Sequence, residues 1–109
     1  MSDNSRMTDT AIVQVTGTAG RFDEFRERLR WLLVREPDVD PYTEHHAPDR
    51  LEYRFELRTG IPFPCFVTAS TEFPEFRVEA HWNQGGKAGG AAIESGRLVE
   101  KWTGERNTA

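Results

Sequence analysis

The side chains of this 109-residue chain with chemical potential fall into four groups, and each has a plain structural reading beside the chemical one. Glu44, His45, His46 and Asp49 combine imidazole and carboxylate, the usual ligands of zinc and similar ions. Adjacent residues on an extended chain point to opposite sides, however, and no His-x-x-x-His spacing supplies a second ligand pair. The segment therefore reads as a solvated loop. Arg58, Glu79 and His81 would form a polar face, with His81 as proton carrier and Glu79 beside it, since residues 79 and 81 share one side of a strand. The competing reading is that opposite charges on neighbouring strands pair and keep the sheet solvated. Lys87 stands among Gly85, Gly86, Gly89 and Gly90, but a phosphate loop needs Gly-x-x-x-x-Gly-Lys followed by Ser or Thr, and Ala88 follows here. A flexible hairpin link fits better. Cys65 would be a nucleophile only beside a base; in an apolar run it reads as a core thiol. No catalytic residue, cofactor-binding residue or metal ligand is assigned from these groups.

The elements that must position these residues are set by periodicity. Leu51, Tyr53, Phe55 and Leu57 alternate with Glu52, Arg54, Glu56 and Arg58, the two-residue period of a half-buried strand. Phe76, Val78, Ala80 and Trp82 repeat the pattern against Arg77, Glu79, His81 and Asn83. Ala11, Val13 and Val15 predict a first strand that Gly17 ends. Phe22, Phe25, Leu29, Leu32 and Leu33 recur at helical spacing, with Asp23 and Glu24 where the helix dipole favours negative charge, Thr18 as the expected N-cap and Pro37 beyond the end. Between residues 61 and 74, Phe63, Phe66, Val67, Ser70 and Phe73 fit a helix face with Pro64 in its first turn. A strand from Cys65 to Ala69 is the alternative, because short apolar runs are ambiguous. Residues 36–50 hold Pro37, Pro41 and Pro48 and read as a long loop, functional or mobile. Ser95-Gly96 signals a hairpin between 91–94 and 97–102.

One wet sheet face and two helices define an α+β domain spanning 11–103, with a mobile tail at 1–10 and a frayed end at 104–109. The formal net charge of −4 and the scatter of basic residues argue against a nucleic-acid partner. A single cysteine fits a reducing compartment, and the absence of a long apolar run or a secretory pattern predicts a cytoplasmic chain with no membrane association.

Phe55, then Pro62 to Pro64, then Phe73-Pro74-Glu75-Phe76 leading into an alternating strand, and the glycines after Trp82 resemble the YubB-like family of small phage- and plasmid-borne proteins. Gln84 and Ala88 depart from that pattern, at positions where a Glu and an aromatic are expected. The resemblance covers roughly the C-terminal half. It implies a ferredoxin-like sandwich, a mixed or antiparallel four-stranded sheet with two helices on one face, and implies no catalytic residue.

Trp31 falls about 150° from the centre of the apolar face of the first helix, with Val34 on the same side. An indole left outside the core is either covered by the 36–50 loop or anchors a partner. The expectation is a non-enzymatic accessory domain that binds a protein partner or a second copy of itself, a homodimer with Trp31, Val34, Arg28 and Arg35 at the contact. The alternative is a small-molecule-binding domain or enzyme that uses the charged sheet face and the glycine link.

Overall fold

The computed structural model describes residues 9–17 and 19–104; most of the expected N-terminal tail, the Thr18 N-cap and the C-terminal end from 105 onward lie outside them. The described chain runs β1 (Thr10–Thr16), α1 (Phe22–Val34), β2 (Tyr42–Ala47), β3 (Arg50–Glu56), α2 (Phe63–Glu72), β4 (Arg77–Gln84), β5 (Lys87–Glu94) and β6 (Arg97–Thr103). The strands form one sheet in the order β2-β3-β1-β4-β5-β6, and every neighbouring pair is antiparallel. The class is α+β, but the four-stranded ferredoxin-like sandwich expected from the sequence is not what forms. Six strands pair: the three alternating strands, the β5–β6 hairpin signalled by Ser95-Gly96, and β2 inside the 36–50 segment read as a loop.

The alternation sorts the sheet into two faces. Ala11, Val13 and Val15 of β1, Leu51, Tyr53 and Phe55 of β3, and Val78 and Ala80 of β4 are buried against Phe22, Phe25, Leu29 and Leu33 of α1 and Cys65, Phe66 and Ala69 of α2. Phe76 stacks on Phe22 at 5.0 Å and meets Phe25 in a T-shaped pair at 5.3 Å, while Phe66 makes T-shaped pairs with Tyr53 and Phe55. Such offset and edge-on pairs place ring edges against ring faces and add to simple burial. The helix reading of 61–74 holds, with Pro64 in the first turn of α2. Its buried residues, however, are Cys65, Phe66, Ala69 and Ser70, while Phe63 and Val67 stay half-buried. That rotation leaves two of the expected core residues on a flank.

Turn chemistry fixes the second half. Gly85 and Gly86 both have positive φ, 62° and 79°, as a two-residue hairpin turn requires, so Gln84 pairs with Lys87 and Trp82 with Gly89. Ser95 and Gly96, at φ 52° and 74°, turn β5 into β6 as the sequence signalled. Gly89 and Gly90 are therefore strand residues rather than a flexible link. A Cβ on Gly89 would stand 2.7 Å from the Trp82 indole nitrogen, and one on Gly90 2.1 Å from Trp102, so each glycine is the gap into which a tryptophan lies.

Candidate functional site

The open face of the sheet carries the predicted polar residues. Glu79 and His81 do meet, with His81 Nε2 2.9 Å from Glu79 Oε1, and the His81 ring lies 5.3 Å from that of Trp102. Arg77 sits between three carboxylates, Glu79 at 3.0 Å, Glu94 at 2.6 Å and Glu100 at 2.5 Å. Partial burial alone would raise the Glu79 carboxyl; hydrogen bonds from His81 and Arg77 overcome it and hold Glu79 below the ordinary carboxylate range. Arg58 does not join them. The strand ends at Glu56, Arg58 lies beyond it where its backbone N–H donates to Asp40, and through Ile12 of β1 the β3 residue in register with His81 is Arg54. A cleft of about 280 Å3 next to His81 and Trp102 is lined by Thr10, Ile12 and Ala88. Arg77 and its carboxylates are not among the residues that line it.

The other candidates resolve into structure. His45 and His46 point to opposite faces, as neighbours on a strand must: His45 pairs across from Glu52, while His46 packs its ring on Phe22 at 5.9 Å and lies 3.1 Å from Arg26 Nη1. Glu44 faces the helices, where it accepts the Tyr53 hydroxyl at 3.0 Å and pairs with Arg26 at 3.3 Å and Arg30 at 3.6 Å. Burial first, and then the Glu44 charge, push the Tyr53 phenol up, so it remains a donor. Among the described residues no three His, Cys, Asp or Glu gather as metal ligands do. The Cys65 thiol is buried and raised, chiefly by burial and then by Glu36, which leaves it the weakly reactive form. Asp49 forms the two-residue turn with Pro48 between β2 and β3.

Sequence reading passed over Asp40. It is 4% exposed and accepts the backbone N–H groups of Arg58, Thr59 and Gly60 at 2.9 to 3.1 Å. Burial would raise its carboxyl, but these three donors outweigh it and hold Asp40 below its usual range.

Trp31 is where helical geometry put it, 50% exposed, with Val34 at 78%. Among the described residues no strand or loop covers the indole's exposed half; two guanidiniums lie over the ring, Arg28 at 4.8 Å and Arg35 at 4.4 Å from its centroid. Arg28 is itself fixed by a two-pronged contact with Glu72 of α2, both arms 2.8 Å. The second exposed apolar surface is on β6, where Leu98 is 60% exposed at the edge of the sheet beside a groove under α2. No described helix is long and apolar enough to cross a membrane. Comparison with protein families, with curated proteins and with solved structures finds no match to this chain.

Proposed function

We propose that this chain is a non-enzymatic accessory domain that works by self-association, two copies meeting across the outer face of α1. The observation that carries the reading is Trp31, exposed yet held between Arg28 and Arg35. Tryptophan and arginine are the residues that most often anchor interfaces, and side chains already ordered lose less entropy on association. The surrounding charges suit a second copy. At about 100° per residue, Glu27, Arg28, Val34 and Arg35 lie within about 60° of Trp31 on the helix surface. Glu27 is four residues before Trp31 and Arg35 four after it, both exposed. Two antiparallel helices crossing at Trp31 would place each Glu27 against the other copy's Arg35, as a two-fold axis requires. The likeness to the YubB-like family and an origin on a mobile element belong to this proposal, and rest on the proline and phenylalanine punctuation around α2.

The test is solution mass at low and high micromolar concentration. The unmodified chain should move from monomer to dimer, and Trp31→Ala should stay monomeric with an unchanged circular dichroism spectrum. Glu27→Arg should also stay monomeric, and adding Arg35→Glu to it should restore the dimer. A chain that is monomeric throughout the range overturns the reading.

A further inference from the structure

The helix side of the sheet is not covered to its end. α2 lies over β4 and β5, and its half-buried Phe63 and Val67 form one wall of a groove of about 410 Å3. Leu98 and Lys101 of β6 form the opposite wall, and Ala91 and Ile93 of β5 lie between them. The groove exists because the side chains between its walls are short. Ala91 pairs with Ala80 on one side and Lys101 on the other, and the next position on that face is Gly89, which yields its space to Trp82. Trp82 and Phe63 meet edge to face at 5.9 Å and both line the groove. Its size falls within the range of small-ligand sites, roughly 300 to 1,000 Å3, and such sites are mostly apolar with a few polar groups that set orientation. Lys101 is the only ionisable side chain in the lining, and among the described residues it makes no ion pair.

We propose that this groove binds a small amphipathic carboxylate, its hydrocarbon body along Phe63, Val67, Ala91 and Leu98 and its single negative charge on Lys101. A neutral apolar molecule would leave the ammonium unused. A dianion would leave one charge unmatched beside an apolar wall, at a desolvation cost. The site is separate from the outer face of α1, so its occupancy does not depend on self-association.

Octanoate and 1-octanol are the probes, titrated into the isotope-labelled full chain and followed by amide and indole NMR shifts. Octanoate should move the Trp82 indole and the amides of Val67, Ala91 and Ile93. Lys101→Met should weaken octanoate by about tenfold or more while leaving octanol within about twofold, the loss expected of a charge-assisted contact. Ala91→Leu should fill the groove and abolish both, with circular dichroism checking its fold; if it fails to fold, the Lys101→Met comparison decides. Octanoate binding that is indifferent to Lys101→Met, shifts that map to Trp31 or the open sheet face, or no shifts at all overturn the proposal.

Discussion

The two edges of the sheet finish the helix side in opposite ways. At β2 the inward positions are Tyr42, Glu44 and His46, a polar set of which the first two are half-buried and His46 stays exposed, and α1 reaches them with Arg26, Arg30 and the ring of Phe22. At β6 the inward positions are Leu98, Lys101 and Thr103, and no described helix packs over them. The covered edge tolerates a half-buried carboxylate because Arg26 and Arg30 of α1 and Tyr53 of β3 supply its partners. The uncovered edge keeps apolar side chains facing water, a state that soluble sheets normally avoid at an edge. What separates the edges is helix position: Arg26 and Arg30 of α1 reach Glu44 of β2, whereas α2 lies over β4 and β5.

Phe55 is buried between Tyr42, Phe66 and the core, so Phe55→Ala should cost about 3 to 5 kcal/mol in a urea titration, from lost burial plus a cavity. Glu56→Ala, one residue on and exposed, should cost within about 0.5 kcal/mol. Equal midpoints for the two would mean that the faces are assigned wrongly.

Asp40 ties the loop before β2 to the turn after β3, and Asp40→Ala should cost about 2 to 3 kcal/mol near neutral pH because three backbone donors lose a charged acceptor. The pH dependence has a fixed sign. The folded carboxyl titrates below its unfolded value of about 3.9, so its contribution is whole above that value and is lost as pH falls through the lower folded one. The gap in urea midpoint between the unmodified chain and Asp40→Ala should therefore narrow below about pH 4. A gap that holds constant into acid would show that the ionised form is not what matters.

On the other half, Gly90→Ala should cost about 1 to 3 kcal/mol by forcing Trp102 off its seat, read as a lower melting temperature. An unchanged melting temperature would mean that the indole moves aside freely.

These residues also mark what the sequence made legible. Phe55, Leu57, Val78, Ala80, Phe25 and Leu29 were readable as core because apolar and charged types alternate or recur at a fixed period, and all six are buried. Trp31 was readable from helical angle as lying off the core face, but whether the 36–50 segment covers it was not. β2 was not, since its inward Glu44 and His46 are as polar as its outward Thr43 and His45, and the partners that satisfy them come from a helix some twenty residues earlier. Asp40 looked like any loop aspartate for the same reason: its donors are eighteen to twenty residues on. The seating of the tryptophans was within reach. A two-residue turn at Gly85-Gly86 pairs Trp82 with Gly89 by counting outward. Trp102 opposite Gly90 does not follow by counting, because the register slips at Ala92/Ile93.

The smallest expected effect bears most directly on the open edge. Leu98 keeps 60% of its surface in water, so folding of a single chain removes little of it, and Leu98→Ser should change stability by no more than about 0.5 kcal/mol. That figure assumes the β6 edge stays uncovered, and the assumption can be measured separately from the α1 contact. In a Trp31→Ala background, where the proposed dimer is absent, the cost of Leu98→Ser should be the same at low and high micromolar protein. A cost that climbs with concentration would mean that a second chain covers the edge, because only an associated state gains stability with concentration. The contrast between a closed edge at β2 and an open one at β6 would then describe the isolated chain and not the assembled one.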